Sequence, residues 1–83
     1  EAAASLADYL IGFFSLHLSE KGRLIFVSLL KLRLENKTDY NGLRKILDAS
    51  LETGGLGLYK NTAERVVREI EIIMLLKYSV QAK

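Results

Sequence analysis

Hydrophobic residues of the first segment, residues 2–18, recur at intervals of three and four, which is the spacing of one face of an α-helix. Small and polar residues occupy the opposite stripe. The positions on the first face are Leu6, Tyr9, Leu10, Phe13, Phe14, Leu16 and His17. The pattern predicts a first helix with one buried face. Its opposite stripe is either solvated or a seam at which another helix approaches closely.

The second segment is apolar around nearly its whole circumference from residue 24 to residue 34, relieved by Ser28, Lys31 and Arg33. Ser19 precedes it and suits the N-cap position, where a side-chain oxygen accepts a hydrogen bond from a free amide. The last residues, LKLRLE, alternate between apolar and polar as a strand does. Because a lone strand would leave its backbone groups unpaired and no second strand is evident, we predict a helix.

Two further amphipathic segments follow. The third begins after Thr38 or Asp39, either of which suits an N-cap. The fourth begins at Asn61, and Glu64 stands three residues later, as in a capping box. Their hydrophobic faces consist of Tyr40, Leu43, Ile46, Leu47 and Leu51 in the third segment and Val66, Val67, Ile70, Ile73 and Met74 in the fourth. The four segments predict an all-α fold, a compact bundle of about four helices with a glycine-rich loop before the last one.

Composition sets the size of this bundle and limits its chemistry. The chain has 83 residues, enough for a single helical domain over residues 1–83, and its start at Glu1 also fits a fragment of a longer protein. It has no cysteine, which excludes disulfides and thiolate metal sites and favours a cytoplasmic protein. No stretch approaches the roughly 18 apolar residues needed to cross a membrane, so we expect no membrane span.

The loop ETGGLGLYKN, residues 52–61, has the glycines and the lysine of a phosphate-binding loop but not their spacing. A loop of the G-x-x-x-x-G-K-[ST] type needs a glycine where Tyr59 stands and a hydroxyl residue where Asn61 stands. We therefore predict a structural turn, in which Gly54 ends the third helix in a left-handed conformation and Leu56, Leu58 and Tyr59 fill the core.

An alternative role for this loop is to bring a polymer phosphate to the start of the fourth helix. Free backbone amides and the helix dipole favour an anion at that position. Lys60 and Arg65 would then lie beside the phosphate, and Tyr59 would stack on a base or a sugar.

Positive charge is concentrated in the second quarter of the chain. Residues 21–45 contain seven Lys or Arg and two Asp or Glu, a net charge of +5, in a chain whose total is +2. Clustered bases attract nucleic-acid phosphates if they share a face. Together with the loop, the residues predicted to contact nucleic acid are Lys31, Arg33, Lys37, Arg44, Lys45, Tyr59, Lys60 and Arg65. The alternative is a solvated surface that only confers solubility.

The second and fourth segments are apolar over arcs too wide for one small interior to enclose both. We therefore expect part of this surface to remain exposed and to form an interface with another protein or a second copy. The candidate interface residues are Leu24, Phe26, Leu30 and Leu34 in the second segment and Ile72, Leu75 and Leu76 in the fourth. Alternatively, one of the two helices is central and covered on all sides.

No catalytic constellation is evident in the sequence. His17 is the only histidine and has no nucleophile or acid on its own stripe, and Glu69 and Glu71 diverge on a helix. We expect no catalysis, no metal, no cofactor and no small-molecule substrate. The sequence predicts a non-catalytic helical subunit or adaptor that docks by apolar helix faces and presents a basic surface to nucleic acid. The alternative is a homo-oligomerisation or protein-interaction module with no nucleic-acid role.

Overall fold

The computed structural model describes residues 2–50, 53 and 55–78, and these residues form a bundle of four α-helices. The last helix continues directly into a π-helical segment, Met74–Tyr78. The described residues contain no strand, so the alternating end of the second helix is helical as predicted. The all-α prediction is confirmed. The helices are α1 (Ala2–Phe13), α2 (Glu20–Leu34), α3 (Tyr40–Asp48) and α4 (Lys60–Ile73).

Two of the predicted helix starts are confirmed by their capping bonds, and one is wrong. The Ser19 hydroxyl accepts a hydrogen bond from the amide of Gly22 at 3.1 Å and begins α2. The Asp39 carboxylate accepts one from the amide of Gly42 at 2.8 Å and begins α3. The N-cap of α4 is Tyr59, two residues before the predicted Asn61, and it makes no side-chain capping bond. Asn61 therefore lies inside the helix, and the predicted capping box is not formed.

Helices α1 and α2 both end in a Schellman arrangement built on a residue other than glycine. Ser15, with φ of 53°, follows α1, and Asn36, with φ of 63°, follows α2. The backbone amide of the residue that follows each of these positions donates to the carbonyl oxygen five residues earlier. At the end of α1, the amide of Leu16 donates to the carbonyl of Ile11 at 2.9 Å. The predicted continuation of the first helix to residue 18 is wrong because this left-handed turn at Ser15 stops it.

The core lies between two helix pairs, α1 against α2 and α3 against α4. The apolar stripes of all four helices contribute to it, and the small polar stripe of α1 faces solvent, with no atom of another element near Gly12. The fully enclosed apolar side chains, less than 2% exposed, are Ala7, Leu10, Phe26, Leu30, Leu43, Leu47, Ala63, Val66, Val67, Ile70 and Met74.

A buried ion pair joins α2 to the end of α4. The Arg33 guanidinium donates from Nε to Oε2 of Glu71 at 2.7 Å and from Nη2 to Oε1 at 2.6 Å. Its Nη1 also donates to the side-chain oxygen of Asn36 at 3.3 Å. Arg33 is wholly buried and Glu71 nearly so. The bidentate geometry is the strongest that an arginine makes with a carboxylate.

The glycine-rich loop lies along the end of α3. Amides of residues 55–58 donate to carbonyl oxygens of residues 46–50 at 2.7–3.3 Å, so the loop satisfies carbonyls that the end of a helix leaves free. A Cβ on Gly55 would overlap the carbonyl oxygens of Ala49 and Ile46, so only glycine fits there. Gly57, with φ of 67°, supplies the left-handed turn. Gly54, predicted to end the third helix, and Leu51, predicted on its apolar face, lie outside the described residues.

The structural interpretation of the loop is confirmed for Leu56, which is buried, and for Leu58, which is half-buried against the core. It is wrong for Tyr59, whose side chain is 85% exposed. Tyr59 comes directly before the first turn of α4, beyond the part of the loop that contacts α3. Because the amides of residues 55–58 already bond to α3, they do not provide the free donors of a nucleotide-binding loop.

Candidate nucleic-acid interface

The basic residues of the second quarter do not all lie at the surface. The prediction that Arg33 is a surface base is wrong, because this residue lies on the buried stripe of α2 and is paired with Glu71. Lys37 lies in the turn after α2, with its Nζ 3.3 Å from a carboxylate oxygen of Glu35. Lys31 lies on the exposed side of α2. The remaining two lie on α3, where Arg44 is half-buried and Lys45 exposed.

The last turn of α1 meets the middle of α4 and forms a groove of about 170 Å³. Phe13, the last residue of α1, and Phe14 directly after it line one side, and Arg65, Arg68 and Glu69 line the other side from α4. Arg65 and Arg68 are three residues apart and share the outer face of the helix, since residues at this spacing are neighbours on a helix surface. Both arginines are exposed. The groove therefore combines aromatic and guanidinium side chains.

The aromatic side of this groove is a short ladder of rings. The rings of Tyr9 and Phe13 are stacked, with centroids 5.7 Å apart and an interplanar angle of 21°. Phe13 meets Phe14 edge to face, with centroids 4.9 Å apart. Tyr9 is 49% exposed and Phe13 59% exposed. Apolar groups of this size exposed together mark a binding surface more often than a purely structural one.

The exposure of Tyr9 and Phe13 corrects the sequence-based prediction, which placed both on the buried face of the first helix. The buried stripe of α1 is Ala3, Leu6, Ala7 and Leu10. At about 100° per residue, Tyr9 and Phe13 lie roughly 70–110° from the centre of that stripe. Tyr9 and Phe13 therefore lie beside the buried stripe of α1, and the neighbouring helices cover only the centre of that stripe.

A second groove of about 300 Å³ adjoins the first and shares Phe14 with it. It is lined by residues 14–18, residues 56–59 and Thr62, and the exposed ring of Tyr59 and the exposed His17 are among them. Lys60 follows Tyr59 and is also exposed. The two grooves together form one surface, which we call the aromatic–basic surface and define by Tyr9, Phe13, Phe14, Tyr59, Arg65 and Arg68.

The charge of this surface is positive but modest. Arg65 and Arg68 contribute two guanidinium groups, and Glu69 contributes one carboxylate. Among the residues that the structure describes, no carboxylate lies within ion-pair distance of either arginine. Both guanidinium groups thus keep donors for an outside anion. Sequence reasoning found Tyr59, Lys60 and Arg65 but missed Arg68, whose signal was its three-residue spacing from Arg65.

The second candidate surface is apolar and lies at the end of α4. Ile72, Leu75 and Leu76 are all exposed, which confirms the expectation that this end of the helix would not be covered. On α2 the expectation is confirmed for Leu24, which is exposed, while Leu34 is only half-buried.

The same prediction is wrong for Phe26 and Leu30, which have no exposed surface. Both lie on the stripe of α2 that faces the core, together with Leu29 and Arg33. Their burial places half of the predicted α2 interface in the interior.

Neither a metal site nor a membrane-spanning helix is found in the described part of the chain. No group of three or more His, Asp or Glu residues lies close enough together to hold a metal ion there. None of its helices has the length and apolar character needed to cross a bilayer. Comparison of the chain with protein families, with curated proteins and with solved structures found no match in any of the three. Support for a function therefore comes from the arrangement of side chains in this fold.

Proposed function

We propose that the protein is a non-catalytic helical subunit that binds nucleic acid through the aromatic–basic surface. The observation that supports this function is the position of two exposed arginines, with no carboxylate partner in the described part of the chain, beside aromatic rings in one groove. Guanidinium groups donate to phosphate oxygens, and aromatic rings offer flat apolar faces to bases or sugars. The combination of both groups in one groove supports nucleic acid more than either group does alone.

The proposal shifts the main contact from the second quarter of the chain to α4 and the end of α1. Lys31, Lys37, Arg44 and Lys45 would then act at longer range, by raising the positive potential around the protein. The proposal includes a cytoplasmic location, which the absence of cysteine favours.

The apolar end of α4 supports the second half of the proposal, docking into a larger assembly. Ile72, Leu75 and Leu76 follow Arg68 along the same helix and its π-helical extension. A patch of exposed aliphatic side chains loses contact with water when it packs against another protein, and this burial favours association. The same patch supports the alternative function, a protein-interaction or homo-oligomerisation module with no nucleic-acid role.

Oligonucleotide binding followed by fluorescence anisotropy tests the nucleic-acid function. Each phosphate contact to a single strand contributes about 0.7 to the slope of log affinity against log salt concentration. We expect the double variant Arg65→Ala/Arg68→Ala to weaken binding and to reduce that slope by about 1.4. The matched control is Lys21→Ala, which removes an exposed base on α2 that belongs to neither candidate surface.

The outcomes separate the candidate surfaces and the candidate functions. If Lys31→Ala/Lys45→Ala weakens binding and the α4 double variant does not, the aromatic–basic surface is the wrong one. If no oligonucleotide binds at low salt, the nucleic-acid function fails. Light scattering would then test the oligomerisation module. A mass above the 9.3 kDa of one chain that falls to 9.3 kDa in Leu76→Glu would favour it.

A further inference from the structure

We infer that the aromatic–basic surface takes single-stranded nucleic acid, with unpaired bases stacked on the rings of Phe13 and Tyr59 and phosphates at Arg65 and Arg68. This inference rests on the proposed function and adds the class of polymer and the mode of contact. It is carried by the geometry of the rings and by the small number of charges beside them.

Stacking of a base requires an aromatic ring with an open face. Tyr59 is 85% exposed, so its ring is almost entirely available. Phe13 is 59% exposed even though Tyr9 stacks on it and the ring of Phe14 stands nearly perpendicular to it. These two contacts limit the freedom that the Phe13 ring would lose on binding. An exposed and supported ring is the kind of platform on which a base stacks.

The charges beside the rings favour a single strand over a duplex. In a duplex the faces of the bases are occupied by their neighbours, so the protein meets only phosphates, sugars and base edges. Binding by phosphates alone depends on many contacts, roughly 6–10 in proteins with strong salt dependence. The two grooves offer Arg65, Arg68 and the adjacent Lys60, and Glu69 opposes them. Affinity must therefore come largely from the rings, which a duplex does not engage.

Three probes of equal length distinguish stacking from charge. We would use a fluorescent oligothymidylate of about 12 nucleotides, an abasic strand with the same number of phosphates, and the duplex of the first with its complement. We expect the single strand to bind most tightly, although the duplex carries twice the charge. Loss of one stacked base corresponds to a decrease in affinity of about 5- to 100-fold. The abasic strand loses every base, so it should bind at least about 5-fold more weakly than the oligothymidylate.

Substitutions of the rings test the residues. Phe13→Leu and Tyr59→Leu keep an apolar side chain but remove the aromatic face, and each should weaken binding of the single strand by about 5- to 100-fold without affecting the abasic strand. Leu32→Ala, at an exposed apolar position on α2 that belongs to neither candidate surface, is the matched control and should change neither. Phe13→Trp should retain binding. The chain has no tryptophan, so this indole would be its only one and its fluorescence should be quenched by the single strand.

The results that overturn the inference differ from those that overturn the proposed function. Equal binding of the abasic strand and the oligothymidylate would show contact with phosphates alone. Duplex binding at least as tight as single-strand binding, or unchanged affinity in both leucine variants, would also overturn it. In each of these cases the protein still binds nucleic acid and the proposed function stands. If none of the three probes binds at low salt, the proposed function fails as well.

Discussion

The buried pair between Arg33 and Glu71 allows a quantitative test of how α2 is held against the end of α4. Replacing Glu71 by alanine removes the carboxylate that accepts both of the short hydrogen bonds from Arg33, at 2.7 and 2.6 Å. The guanidinium remains wholly enclosed and keeps other contacts, among them the hydrogen bond from Nη1 to the side-chain oxygen of Asn36 at 3.3 Å. The variant therefore removes the bidentate carboxylate from a buried charge.

The expected cost is large for a chain of this size. Removing one partner of a buried ion pair destabilises a protein by about 3–5 kcal/mol, because the remaining charge is not solvated. At about 0.05–0.15 kcal/mol per residue, an 83-residue chain has a total stability of about 4–12 kcal/mol. Glu71→Ala should therefore lower Tm by about 12 °C or more, and it unfolds the chain outright if the wild-type stability is at the lower end.

Urea and thermal unfolding followed by far-ultraviolet circular dichroism measure this effect. The matched control is Asp8→Ala, because Asp8 makes a similar bidentate pair with Arg23, at 2.8 and 3.1 Å, on the surface. Solvent screens that pair, so its loss should cost much less than the loss of Glu71.

A double variant shows whether the loss of stability in Glu71→Ala comes from the buried charge of Arg33. Arg33→Met/Glu71→Leu removes both charges and keeps most of the volume, and it should recover most of the stability lost in Glu71→Ala. If Glu71→Ala costs no more than Asp8→Ala, or if the double variant is as unstable as the single one, the explanation by a buried charge that has lost the Glu71 carboxylate is wrong.

Three further predictions concern the turns and the surface pair. Gly55→Ala should destabilise the chain by about 1–3 kcal/mol in urea unfolding, because its Cβ would overlap the carbonyl oxygen of Ala49 and displace the loop from α3. Ser15→Gly should stabilise it by about 0.5–1 kcal/mol, since relief of the left-handed strain exceeds the added entropy of the unfolded chain; a lower urea midpoint would contradict this. The hydrogen bond from Arg23 lowers the pKa of Asp8 below its ordinary value of 3.8, so the small stabilisation by this pair is present above that pH and is lost as the pH falls through the folded-state pKa. Arg23→Ala should raise the pKa of Asp8 in an NMR titration, and an unchanged pKa would rule out Arg23 as the cause.

The candidate site was only partly predictable from the sequence. Tyr59, Lys60 and Arg65 were identified because they surround the start of a helix and carry the right chemical groups. The aromatic residues of α1 were not identified, because Tyr9 and Phe13 fit the apolar period of that helix as well as buried residues do. Periodicity gives the direction of a side chain, whereas its exposure depends on how wide an arc the neighbouring helices cover.

The sequence by itself determined the helical class of the protein, the course of α2 and α3 and the residues that begin them. The side chains of Ser19 and Asp39 accept hydrogen bonds from amides three residues away, and the apolar spacing of a helix repeats within one or two turns. Both features therefore predict a helix without reference to a distant part of the chain. The sequence also predicted that apolar side chains of α2 or of the end of α4 would stay exposed, because four short helices cannot enclose two wide apolar arcs, but it did not decide between them.

Only the tertiary structure decided which charged and aromatic residues face solvent. Arg33 is buried because Glu71, 38 residues later, lies opposite it, and the glycine loop takes its course because the carbonyls of α3 are free to accept from it. The aromatic–basic surface likewise exists because the end of α1 meets the middle of α4. Each of these depends on contacts between segments far apart in the chain, which no local pattern of residues specifies.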